Sequence, residues 1–184
     1  METLGPSQLR AARWAGFAFL AAIAVVILAN YGVNFRLIVP GDAALTARNI
    51  LAHGTLFRLN LASNLVYAAL LLTLATTLYK VLRPVEGSVA LLAATCRLML
   101  ALMWAITALN SLGALRLLEG TPYLGAFGAD QAQALARLRL SSSYDAYYVG
   151  LPFWGLSSTL FCGLWLRSRY IPKWLAMAGL IASA

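Results

Sequence analysis

The chain has 184 residues and a mass of 19.8 kDa; 61% of its residues are hydrophobic, 11% are charged, and its mean hydropathy is +0.77. Globular domains average about 45–50% apolar and about 25% charged, so this composition excludes a water-soluble single domain, a disordered chain, a collagen and a disulfide scaffold. The net charge of +8, from fourteen Lys and Arg against six Asp and Glu, reads as loop charge beside lipid headgroups, and no nucleic-acid partner is expected.

A membrane-crossing helix needs about 20 apolar residues. The first such run covers about 13–35, with Arg10 and Arg13 ahead of it. It exceeds the usual 7–15 residue core of a secretory signal and further spans follow, so it reads as a signal-anchor. Pro40, Gly41 and Asp42 then end an extended stretch, and Asp42 is placed to cap a short helix running to His53, with Gly54 as its terminator. The second span covers about 56–82 and closes on Tyr79 and Lys80; a tight turn, Arg83-Pro84-Val85-Glu86-Gly87, leads to a third span over about 88–113, interrupted by Arg97. Gly128-Ala129-Asp130 forms a second cap signal before QAQALARLRL, whose Leu135, Leu138 and Leu140 suit a helix lying on the surface. The fourth span covers about 142–166, with Asp145 near its start and Pro152 inside it. A fifth begins at Ile171, where 14 residues remain; at 1.5 Å per residue these reach only about 21 Å, which predicts a truncated helix. The expected architecture is all-α: a polytopic transmembrane helix bundle forming a single domain over 1–184, with four full spans plus a truncated fifth and short surface helices in two outer loops.

Positive charge sets the orientation. With the N-terminus cytoplasmic, the inner segments carry seven Lys or Arg in 28 residues and the outer segments six in 53, which favours that topology. Trp14, Tyr79, Trp165 and Trp174 then fall at the inner interface, and Tyr31, Tyr144, Tyr147 and Tyr148 at the outer one.

Polar groups within the spans are the candidate binding residues, because hydrocarbon offers them no water. Arg97, about nine residues into its span, is either a counter-ion for an anionic ligand or lipid headgroup, or a structural arginine bonded to helix carbonyls or a neighbouring span. Asp145 and Arg58 lie at similar depth and could pair; Asp145 could instead meet Arg97, or simply cap its helix. Asn60, Asn64 and Tyr67 at i, i+4 and i+7 make a polar stripe on the second span. Arg97, Trp104 and Ser111 share one face of the third, with Asn110 adjacent. Facing stripes would line an internal cavity, whereas Asn and Ser equally serve as hydrogen-bonding glue between helices. Catalytic chemistry has no positive sign: the phosphate-loop, dinucleotide, zinc-protease and haem motifs do not occur, and no enzyme activity is expected. Cys96 and Cys162 lie inside apolar runs and His53 stands alone, so neither a metal site nor a cofactor is expected.

Three stretches carry a resemblance. RLIVPGDAALTARNILAHGTLFRLNLASNLVYAALLLTLATTLYKVLRPVEGSVALLAATCRL (36–98), YLGAFGADQAQALA (123–136) and RSRYIPKWLA (167–176) resemble the bacterial membrane family called domain of unknown function 4386. The resemblance implies a multi-pass protein of roughly six helices with no assigned activity, of which this chain lacks most of the fifth and all of the sixth. Members often carry histidine near the positions of Ser143 and Ser157, where serine here weakens any metal or proton-relay role. The leading expectation is a non-enzymatic accessory or packing subunit of a larger membrane complex, in contact with membrane lipids and other integral membrane subunits, or a binder of lipid or an apolar ligand. Its rivals are a small transporter with a polar path at Arg97 and Asp145, and an intramembrane enzyme acting on lipid. A pigment such as a carotenoid would need only an apolar groove and aromatic contacts.

Overall fold

In the computed structural model of the chain, residues 5–39, 42–120, 128–168 and 170–183 are described. All the regular structure among them is helical. Helix α1 (Pro6–Ile27) passes without a break into a π-helical stretch, Leu28–Asn34, and a last α-turn, Phe35–Leu37. There follow α2 (Ala43–Ala52), α3 (Gly54–Leu82), α4 (Gly87–Glu119), α5 (Ala129–Ser168) and α6 (Lys173–Ser183). Four helical segments are long and apolar enough to cross a membrane: Pro6–Leu37, Gly54–Leu82, Gly87–Glu119 and Gln131–Ser168. An apolar solvent dictates this outcome, since a helix satisfies its own backbone groups while a loop or sheet edge does not.

Several boundaries differ from expectation. The surface helix expected before the fourth span does not separate from it; α5 is one helix of 40 residues. No Gly or Pro breaks the join, and Ser142 and Ser143 donate back to the carbonyls of Leu138 (3.0 Å) and Arg139 (3.3 Å), which keeps these serines helical. Asp145 therefore sits well inside α5 and caps nothing. Helix α4 continues past 113 to Glu119 and ends on Gly120 in the left-handed region (φ 68°), where a residue without a Cβ is favoured. Asp42 does cap α2, its carboxylate accepting from the Leu45 amide at 2.9 Å. Gly54 does not end α2 in a left-handed turn; the helix closes at His53, and the chain enters α3 at once. The expected Pro40-Gly41 turn, the side chain of Tyr31 and that of Asp130 lie outside the described residues. At the start of α5 the Gln131 side chain instead accepts from the Gly128 amide at 3.3 Å.

The chain forms two compact units, each drawing on several helices. The first contains 1–22, 68–102 and 149–184. Its core joins Ala11, Val81, Leu82, Ala90, Ala93, Phe161 and Leu164. Gln8 donates to the Val81 carbonyl at 3.2 Å, and Arg167 pairs with Glu86. Helix α6 comes close to α5 here: a Cβ at Gly179 would lie 2.8 Å from Cys162 Sγ. Buried positions on α1 are all alanine (Ala11, Ala15, Ala18 and Ala22), the small-residue surface that lets membrane helices approach.

The second unit contains 23–67 and 103–148 and packs Val33, Leu37, Ile50, Phe57 and Leu115 together. Buried Thr46 accepts from the Val39 amide (3.0 Å) and donates to the Asp42 carbonyl (2.8 Å), tying the start of α2 to the strand of chain before it. Losing an N-cap costs about 1 kcal/mol. Asp42→Ala should accordingly raise amide exchange at Leu45 about fivefold while leaving α3 unchanged; unaltered exchange would mean that the cap does not hold α2.

Candidate ligand-binding cavity

Arg97 belongs to the first unit and is 7% exposed. Its Nε donates to Ser157 Oγ and its Nη2 to Ser158 Oγ, both at 3.1 Å, and its guanidinium lies 6.0 Å from the ring centre of Phe161. Ser157 is fully buried and in turn donates to the Ala93 carbonyl at 2.8 Å. One hydroxyl thus accepts from the cation on α4 and donates to the backbone of the same helix one turn earlier. This is the structural role weighed for Arg97: charge-assisted hydrogen bonds to a neighbouring helix. Removing one partner of a buried charged group costs about 1–3 kcal/mol.

The second unit holds a cavity of about 360 Å³. Its polar lining is Asn34, Asn60, Asn64, Thr107, Ser111 and Ser143, and its aromatic lining is Phe35, Phe57, Trp104, Tyr144, Tyr147 and Tyr148. Helical spacing explains the convergence. Phe57, Asn60 and Asn64 recur at i, i+3 and i+7 on α3; Trp104, Thr107 and Ser111 repeat that interval on α4; Ser143, Tyr144, Tyr147 and Tyr148 share one face of α5. The π-helical stretch supplies Asn34, and π geometry within a helix often marks a functional site.

Within the lining, Asn60 Nδ2 donates to Asn34 Oδ1 at 2.7 Å. Asn60 Oδ1 is buried and accepts no hydrogen bond among the described residues, in a side chain only 3% exposed. Thr107 Oγ1 and Ser143 Oγ bridge α4 and α5: Thr107 donates to the Ser143 carbonyl at 3.3 Å, and Ser143 donates to the Thr107 carbonyl at 3.4 Å. The Trp104 ring meets Tyr67 at 4.6 Å and Tyr147 at 6.0 Å, both edge to face, and Tyr147 meets Tyr148 at 5.5 Å. Gly113 makes room for Arg139, whose Cδ would lie 3.6 Å from a Cβ at that position.

Residues 14–184 match the family described as domain of unknown function 4386. The chain belongs to that family. No curated protein and no solved structure matches it.

Of the residues singled out from sequence, Asn60, Asn64, Trp104 and Ser111 line one cavity, and Tyr67 meets Trp104 edge to face. Arg97 belongs to the serine cluster of the first unit and is not among the cavity's lining residues. Arg58 pairs with Glu119 at 2.8 Å and not with Asp145, because α4 extends far enough to bring Glu119 alongside. That pair is exposed and contributes little stability. Asp145 is exposed and forms no ion pair among the described residues; Asn110 is half-buried outside the cavity lining. Asn34, Thr107, Ser143 and the tyrosines were not singled out as lining, although the 143, 144, 147, 148 spacing is itself a helical face.

Ser157→Ala should lower stability by about 1–3 kcal/mol. In a double-mutant cycle scored by thermal unfolding in detergent, adding Arg97→Leu should cost less than it does alone, since the cation that needed Ser157 is gone. Additive losses would break the link between the two.

Proposed function

We propose that this chain is a non-enzymatic membrane protein that holds a small amphipathic ligand in the cavity of its second unit. The observation that carries the reading is a concave site mixing neutral hydrogen-bonding groups with aromatic walls. Ligand sites are typically pockets of about 300–1,000 Å³ with apolar and aromatic walls and a few placed polar groups.

In this reading the protein sits in the bacterial inner membrane with its N-terminus cytoplasmic, as the density of positive charge favours. The four long helices span. The cavity then belongs to the outer side, since 35–58 and 113–141 are the outer segments. Wide apolar faces remain for lipid or for neighbouring subunits: on α1, Trp14, Phe17 and Leu20 are exposed, as is Leu28 in the π-helical stretch, and on α6, Trp174 and Ile181. We assign the protein an accessory role within a larger assembly on that basis. A transport path through Arg97 and Asp145 draws less support, because the cavity is lined by neither.

Mild-detergent extraction from the native membrane, followed by mass spectrometry, tests both halves. A small molecule should be retained near one per chain, together with larger integral membrane subunits, and Trp104→Ala should lower its occupancy at least about tenfold by removing the central ring of the wall. Recovery of an unliganded chain would defeat the binding reading, and recovery without partners would defeat the accessory one.

A further inference from the structure

We propose that Asn64 is the side chain by which the cavity recognises its ligand, and that it takes an uncharged amphiphile whose head carries a carbonyl and an N–H side by side, as in a primary amide or a lactam. The inference rests on the cavity reading above and deepens it to a contact residue and a ligand class.

Most of the other polar lining is engaged within the protein. Asn60 Nδ2 donates to Asn34 Oδ1 at 2.7 Å, Thr107 and Ser143 donate to each other's carbonyls, and Ser111 Oγ lies 3.5 Å from Ser143 Oγ. Asn64 differs. It lines the cavity and is only 5% exposed, yet it forms no hydrogen bond among the described residues. It is therefore not the helix-to-helix glue that a membrane asparagine often is. Nor is its amide sealed off. Asn60 Oδ1 is the one side-chain atom, among the described residues, that is both shut away and without a partner. Both ends of the Asn64 amide thus stay open to an occupant.

The head group follows from what that amide offers. An asparagine side chain presents an acceptor at Oδ1 and donors at Nδ2 in one plane. A primary amide or a lactam answers both ends with two parallel hydrogen bonds. A ketone answers Nδ2 alone, and a hydroxyl carries donor and acceptor on one atom, which cannot lie in line with both ends. Charge does not suit the rest of the wall. None of the described lining residues is Asp, Glu, Lys, Arg or His, so a carboxylate or an ammonium would lose its water with no counter-ion to meet it. At 360 Å³ the cavity lies near the small end of the roughly 300–1,000 Å³ range of ligand sites, which suits a head group with its tail outside.

Two measurements on the full chain in maltoside detergent test this. The first needs no ligand. Asn64→Leu breaks no bond within the protein, so its thermal unfolding should stay within about 2 °C of the unaltered chain, whereas Asn60→Leu loses the bond to Asn34 and should unfold lower. A drop for Asn64→Leu as large as that for Asn60→Leu, or a failure to fold, would make Asn64 structural and overturn the proposal. The second measurement uses dodecanamide, undecyl methyl ketone and dodecanoate, which share one tail and one planar head shape, each titrated calorimetrically against a protein-free micelle blank. The amide should bind the unaltered chain at least about tenfold more tightly than the ketone or dodecanoate, and Asn64→Leu should bring it down to the level of the ketone. Equal binding of amide and ketone, or preferred binding of dodecanoate, would overturn the ligand class and leave the cavity reading standing. No saturable binding of dodecanamide would overturn this inference, and an empty site in protein taken from its own membrane would take the cavity reading with it.

Discussion

In hydrocarbon, an amide that does not hydrogen-bond to its own helix has almost nothing else to bond to. That constraint fixes the long uninterrupted helices of this chain, and it also decides which side chains can hold them together. Apolar burial gives little preference for protein over lipid tails, so cohesion falls to small residues that let backbones approach and to a few polar bonds between helices. The alanines of α1 illustrate the first; Arg97 with Ser157 and Ser158, and Thr107 with Ser143, illustrate the second.

Several hydroxyls among the described residues are spent locally. Ser63, Thr73, Thr76, Thr77 and Thr95 all donate to carbonyls three or four residues earlier, so they are polar in composition but silent toward neighbouring helices. Against that background Ser157 and Ser143 stand out, because each reaches another helix. Asn60 stands out further: an amide cannot satisfy both its ends through its own backbone, and one end of Asn60 is left over.

Much of the fold was legible in the sequence because length and hydropathy are the properties a bilayer selects; the apolar runs near 56–82 and 88–113 need no partner to be recognised. The boundaries were less so. The expected surface helix and fourth span were separated because QAQALARLRL is too polar for a span, but polarity does not break a helix, and Ser142 and Ser143 bond back within α5. Asp145 is therefore a mid-helix residue. Independently, the six extra residues of α4 gave Arg58 a different carboxylate. The Asn60 and Asn64 spacing was readable from the period of a helix, as was Trp104 with Ser111. Asn34 was not, since it ends a π-helical stretch whose residues no α-helical count can place. The tyrosines of α5 were read as an interfacial belt, where aromatic rings commonly sit, although the same rings face the cavity.

The neutrality of that cavity has an electrical consequence. Moving one elementary charge through a membrane at 100 mV involves about 2.3 kcal/mol of work, so any site that trades in ions feels whether the membrane is energised. A pocket lined, among the described residues, by amides, hydroxyls and aromatic rings puts no charge of its own in that field. A neutral molecule entering it would do no work against the transmembrane potential.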